Sequence, residues 1–126
     1  MTTAKPVYFL PLWCSVCGEG NQRENWRAAH RRHKGQRQQA RLALNTATLP
    51  SGLPAAVTFV RYYDGKKTRP LDEGDNLSSA FKAVRDEVAK FFGVNDGPKD
   101  KLVWGYEQGR FDGDPQHAPC GIVLHY

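Results

Sequence analysis

Five apolar residues in the second half of the chain recur at intervals of three and four, which is the period of an α-helix. They are Leu77, Phe81, Val84, Val88 and Phe91. Asp75 is suited to the N-cap of such a helix, and Gly93 is suited to the position just after its end. The pattern predicts one continuous amphipathic helix. Its apolar face must be covered by other elements, and its polar face carries Lys82 and Asp86.

Four other segments are apolar, rich in β-favouring residues and bounded by turn residues, which predicts strands over 6–13, 55–63, 101–108 and 121–126. A polar helix is predicted over 22–42, followed by a Pro- and Gly-containing linker over 45–54. The order β-α-β-α-β-β indicates an α+β fold with one mixed sheet of about four strands and two helices on one side.

The length of 126 residues corresponds to one domain, 1–126. Leu, Ile, Val and Phe number only 26, which is close to the level of about 20% below which chains tend to be disordered. We therefore expect a folded domain with a polar, mobile portion over the basic segment 14–45.

Charge is unevenly distributed along the chain. Residues 23–41 hold seven basic side chains and one acidic one, residues 61–69 hold four basic and one acidic, and residues 72–100 hold seven acidic and four basic. Basic groups attract the phosphate backbone of nucleic acids, whereas clustered carboxylates hold metal ions against a phosphate. The combination favours a nuclease over a simple nucleic-acid binder. The residues expected to contact DNA are Trp26, Arg27, Arg31, Arg32, Lys34, Arg37, Lys66, Lys67 and Arg69.

Four residues around the second predicted helix form a candidate catalytic set: Asp72, Asp75, Lys82 and Asp96. Lys82 follows Asp75 by seven residues, two helical turns, which places both on the helix face opposite the apolar stripe. Mg²⁺ held by two or three carboxylates can orient a water and neutralise charge on a phosphate. The spacing alone also fits a purely structural interpretation, with Asp75 as a cap, Lys82–Asp86 as a surface ion pair and Asp96 as a turn residue.

The residues from Arg69 to Asp86 include the series Asp72, Asp75-Asn76-Leu77, Lys82 and Asp86, and Gly93-Val-Asn-Asp96-Gly follows. Upstream lie Asn25-Trp26-Arg27 and further basic residues. Together these motifs resemble those of the RusA-like Holliday junction resolvases, especially those carried by phages and prophages, over most of residues 20–108. Family members are homodimeric, Mg²⁺-dependent endonucleases that cut two opposed strands of a four-way DNA junction.

The resemblance implies that Asp72, Asp75 and Asp96 bind Mg²⁺, with Mn²⁺ as a substitute, and that Lys82 is the catalytic lysine. The first carboxylate stands three residues before Asp75 rather than two, which leaves Asp72 and Glu73 as alternatives for that ligand. The implied protein makes paired symmetric nicks in recombination and repair. It is encoded by a phage or prophage and acts in the bacterial cytoplasm. A related scaffold that has lost activity is a further alternative.

The cysteines and histidines offer a different interpretation. Cys14, Cys17, His30 and His33 form a Cys-x2-Cys-x12-His-x2-His array, one residue short of a zinc-finger pattern. The alternative function is therefore a non-catalytic nucleic-acid-binding protein with a Zn²⁺ clip. Cys120 is either a further ligand or a packed residue at the start of a strand. An odd number of cysteines, three, argues against a disulfide framework and for a reducing compartment. We expect no membrane span and no signal peptide.

Overall fold

The computed structural model describes residues 6–14, 16, 26–63, 75–94, 102–110 and 118–126, with only the backbone described for residues 75 and 76. These residues form four strands and three helices. In chain order they are β1 (Val7–Leu12), α1 (Trp26–Thr46), β2 (Ala56–Tyr63), α2 (Asp75–Ala80), α3 (Lys82–Phe92), β3 (Val103–Arg110) and β4 (Cys120–His125). The α+β class and the order of elements are confirmed, except that the second predicted helix is divided into α2 and α3.

The four strands form one mixed sheet, as expected, and their order in it is β1-β4-β2-β3. β4 is antiparallel to both of its neighbours, and β2 and β3 are parallel. The parallel pair is joined through α2 and α3, because a chain can return to the same end of a sheet only by a crossover connection. β1 and β3 are the two edge strands.

The core lies between one face of the sheet and the three helices. Alternate residues of the strands point to this face, among them Leu10, Phe59 and Ile122, and all three are buried. From the helices, Leu44 of α1 and Leu77 of α2 join the same apolar cluster. The helices therefore cover one side of the sheet, as predicted.

The stripe from Leu77 to Phe91 differs from the prediction at two points. Phe81 has φ −97° and ψ 6° and interrupts the helix, and its amide donates to the Ser78 carbonyl at 3.2 Å in a tighter, 3₁₀-type turn. This turn seats the Phe81 ring on the sheet, where it stacks on Phe59 with 5.4 Å between ring centroids. Phe91 is 41% exposed, and Phe92 packs against the core instead. The stripe is thus correct for its first four members and wrong for the last.

The ends of α2 and α3 fit the sequence signals closely. Asp75 is the first described residue of α2, and its side chain, on which the predicted cap depends, lies outside what the structure describes. Gly93 ends α3 in the left-handed conformation, with φ 68°, as its position predicts. The first helix ends four residues later than predicted, at Thr46, and residues 22–25 of its predicted range lie outside the described residues. None of these helices is long and apolar enough to cross a membrane, within the part of the chain that the structure describes.

Candidate nucleic-acid interface

Helices α1 and α3 lie side by side and run in the same direction. Near their middle, the Arg41 guanidinium donates to the buried carboxylate of Glu87 at 2.7 Å, and this contact raises the pKa of Arg41. Towards their C-terminal ends, Leu44 and Phe91 line the same depression. Because later residues of α1 meet later residues of α3, the first half of α1 must lie beside and beyond the start of α3.

The first half of α1 carries most of its basic residues and contributes nothing to the core. The buried residues of α1 are Gln36 at its midpoint and Ala40 and Leu44 beyond it, spaced four residues apart. A helix of 21 residues is roughly 30 Å long, so about half of that length bears the basic side chains. Trp26 is 73% exposed, with the Arg27 guanidinium 5.6 Å from the centre of its ring. This half of α1 is built as a charged surface rather than as a packing element.

A depression of about 270 Å³ lies between the middle of α1 and the start of α3. His33 and Arg37 line it from α1, and Lys82, Ala83 and Asp86 line it from α3. Lys82 is the first residue of α3 and is exposed, so it lies off the buried stripe as predicted. The structure thus brings Arg37 and Lys82, singled out for different reasons in the sequence, to one depression. It adds His33, which sequence reasoning had assigned only to zinc.

The carboxylate part of the candidate site is described only in its backbone. Asp75 is the first residue of α2, and the turn at Phe81 connects that helix directly to Lys82. Asp72, Glu73 and Asp96 lie outside the described residues, as do the predicted DNA contacts Lys66, Lys67 and Arg69. Among the side chains that are described, no three His, Cys, Asp or Glu residues come together as a metal site.

The residues of the zinc alternative are partly described. His30 is exposed, whereas His33 lines the depression beside Lys82. Cys14 lines a different depression, at the end of β1, and Cys17 lies outside the described residues. The described part of the array therefore does not converge on one point.

Cys14 and Cys120 form a contact that sequence reasoning did not foresee. Cys120 starts β4, is fully buried and donates from Sγ to the Cys14 carbonyl at 3.1 Å, which confirms it as a packed residue at a strand start. A hydrogen bond between the two thiols lowers the pKa of Cys14, against burial, which raises it. The same hydrogen bond, together with burial, raises the pKa of Cys120. Cys14 is therefore the more readily ionised thiol of the pair.

A second depression, of about 340 Å³, lies on α1 where β1 ends. Its lining includes Trp13, Arg31, Arg32 and Gln39. Trp13 follows the last residue of β1 and is 55% exposed. The alternation of side chains along a strand could not predict the position of the Trp13 side chain, because Trp13 lies beyond Leu12, the last residue of the β1–β4 pairing.

Comparison with known proteins finds no relative of this chain: no protein-family model matches it, and no curated protein matches it. The class of protein that the fold and the candidate interface define is a small α+β protein in which one helix of the helical layer carries an exposed basic half.

Proposed function

We propose that this protein is a Mg²⁺-dependent, structure-selective endonuclease that resolves four-way DNA junctions. The observation that carries the proposal is the depression in which Arg37 of the basic helix α1 and Lys82 of α3 meet. A phosphodiester held between a guanidinium and an ammonium is positioned and partly neutralised by the same two groups. The proposal is supported by this arrangement, because the helix proposed to bind DNA lies beside the lysine that the sequence nominates for catalysis.

The carboxylates fit the proposed metal by their chemistry. Asp72 or Glu73, Asp75 and Asp96 offer hard oxygen ligands, which Mg²⁺ prefers. Bound there, Mg²⁺ would supply an activated water and offset charge on the phosphate. Lys82 would donate hydrogen bonds to the phosphate oxygens, and Arg37 and His33 would orient the strand from the side of α1. Asp86, on the same depression, would keep the Lys82 ammonium directed into it by charge attraction.

Recognition of the junction is proposed to depend on shape and charge. The basic half of α1 exposes arginines and lysine along one helix, and such groups bind phosphates without reading bases. Two symmetric nicks require two sites, so we propose a homodimer with one site in each protomer. The sheet face opposite the helices exposes Val7 and Phe9 of edge strand β1, by 59% and 46%, and offers apolar area for such a contact. The proposed setting is the bacterial cytoplasm, with a phage or prophage origin.

The decisive experiment is cleavage of a synthetic four-way junction with Mg²⁺ and with EDTA. We expect paired nicks in Mg²⁺ or Mn²⁺ and none in EDTA. Asp75→Asn should abolish cleavage and leave junction binding nearly intact, because it removes a metal ligand and preserves shape. Glu107→Gln is the matched control, since Glu107 is an exposed carboxylate on β3. Cleavage that persists in EDTA, or an Asp75→Asn rate within threefold of wild type, would contradict the proposal.

The second candidate is a nucleic-acid-binding protein without catalysis, including a related scaffold that has lost activity. It is favoured by the basic half of α1, which needs no metal to bind phosphates. This candidate predicts tight junction binding and no cleavage with any divalent metal. Metal analysis of the purified protein separates the variant with a zinc clip, which would retain about one Zn²⁺ for each chain.

A further inference from the structure

The depression at the end of β1 combines the exposed ring of Trp13, which no part of the proposed function uses, with the guanidinium groups of Arg31 and Arg32. We propose that it binds an unpaired nucleobase of DNA, stacked on Trp13, with the adjoining phosphates held by Arg31 and Arg32. This inference rests on the proposed function only in that it names the single-stranded element of the same DNA substrate. It requires neither the metal nor the carboxylates.

Trp13 is held in place although its ring is exposed. Its amide donates to the side-chain oxygen of Gln39 at 3.3 Å, which ties the end of β1 to α1. Trp13 also borders a third depression, whose lining includes Leu10 and Leu42, so one side of the indole lies along apolar surface. A tryptophan anchored in this way presents a ring face at low conformational cost, because few torsions remain to be ordered on binding.

The lining suits a nucleotide in both size and chemistry. The volume of about 340 Å³ falls in the usual range of small-ligand sites, roughly 300–1,000 Å³. Gly35 forms part of the wall, and none of the described residues has an atom within 4 Å of the point where a Cβ would stand. Gln38 and Gln39 supply amide groups that can bind base edges. No carboxylate is among the described residues that line it, so the charge is complementary to phosphate.

The chemistry favours an unpaired base over duplex DNA. Stacking on an aromatic side chain needs an exposed base face, and in a duplex both faces of each base are covered by its neighbours. Single-stranded binding sites typically combine aromatic rings with basic groups along the backbone, as here. Branch points and frayed arms are the places where a four-way junction can supply such a base.

The depression beside Lys82 and the depression beside Trp13 lie on either side of α1. His33 lines the first, and Arg31 and Arg32, which precede it in the sequence, line the second. The width of a helix with its side chains is about 10–12 Å. A strand that crosses α1 from one depression to the other would therefore span at least this width, which links the proposed stacking site to the proposed cleavage site.

The test is a fluorescence and affinity titration with an oligothymidylate of about 12 nucleotides, in EDTA, where cleavage is not expected. Trp13→Ala should weaken binding by about 5- to 150-fold, the range that aromatic-to-alanine changes produce at stacking sites. Trp13→Phe should retain affinity within a few-fold and lose most of the quenching. Arg31→Gln and Arg32→Gln should each reduce the slope of log K against log salt by about 0.7. Duplex binding should change far less than single-strand binding in Trp13→Ala.

Phe91→Ala is the matched control, because Phe91 is also an exposed aromatic residue but lies at the other end of the α1–α3 pair. It should bind the oligonucleotide as wild type does. Wild-type affinity in Trp13→Ala, or equal losses for duplex and single strand, would overturn the stacking site. If Trp13→Ala does not fold, unchanged quenching in Trp13→Phe overturns it equally. Failure of the proposed nuclease would instead appear as absent cleavage with these binding differences intact.

Discussion

Replacing Phe81 by alanine would remove the side chain that joins the helical layer to the sheet at the turn between α2 and α3. Phe81 is fully buried, stacks on Phe59 at 5.4 Å between centroids and lies 6.3 Å from the ring of Tyr106. Truncation of a buried phenylalanine to alanine costs about 3–5 kcal/mol. Loss of two aromatic neighbours places Phe81 in the upper part of that range, since each such pair contributes roughly 0.5–1.5 kcal/mol. We therefore expect Phe81→Ala to lower the free energy of unfolding by about 4–5 kcal/mol.

Urea denaturation followed by circular dichroism measures this change. With an m-value of roughly 2 kcal/mol/M, the midpoint should fall by about 2–2.5 M. A domain of this size has a total stability of roughly 5–15 kcal/mol, so the variant would be near the limit of folding. Phe81→Leu, which keeps most of the volume, should fold and lose less, and it gives a measurable value if Phe81→Ala does not fold.

Phe91→Ala is the control that distinguishes the burial seen in the structure from the burial that the helical periodicity predicts. The two phenylalanines belong to the same apolar stripe in the sequence, but Phe91 is 41% exposed, and its ring meets that of Phe92 edge-on with 5.0 Å between centroids. Its replacement should cost about 1 kcal/mol or less. Equal losses for Phe81→Ala and Phe91→Ala would refute the difference in burial between the two residues and would favour the single buried stripe that the periodicity predicts.

Three further results are expected. Lys82→Ala should slow junction cleavage by about 10²-fold or more without lowering the melting temperature, because Lys82 is exposed and contributes charge rather than packing; a large loss of stability would make it a structural residue. In a Cys17→Ser background, Cys14 should be alkylated before Cys120, because its lowered pKa raises the thiolate fraction at neutral pH. The pH profile of the Cys14 reaction should lie below that of an ordinary thiol. Mass spectrometry of the modified peptides measures the order, and alkylation of Cys120 first would contradict the prediction. Light scattering at micromolar concentration should give about twice the chain mass of 14.2 kDa, and a monomer that stays monomeric on a junction would contradict paired nicking.

Local patterns determined most of the secondary structure. The three- and four-residue spacing from Leu77 to Val88 predicted a buried helix face, and Gly93 predicted where that helix ends. The four β-favouring segments predicted strands to within about two residues of their observed ends, as expected for boundaries read from sequence. These signals are reliable because hydrophobic periodicity and capping depend on residues within one or two turns of each other.

The sequence determined only part of the candidate site. The sequence nominated Arg37 as a DNA contact and Lys82 as a catalytic group, each from its own segment. That the two line one depression, together with His33, depends on the alignment of α1 with α3. This alignment is maintained by contacts such as Arg41–Glu87, whose partners are 46 residues apart.

Tertiary packing alone decided the remaining features. Phe81 turns into the core and Phe91 remains exposed, although the helical period treats them alike. Trp13 faces the arginines of α1, and Cys14 meets Cys120 across 106 residues of chain. The physical reason is that residue spacing reports which side chains share a face of one element. Which faces then meet, and at what register, follows from close packing of the assembled sheet and helices.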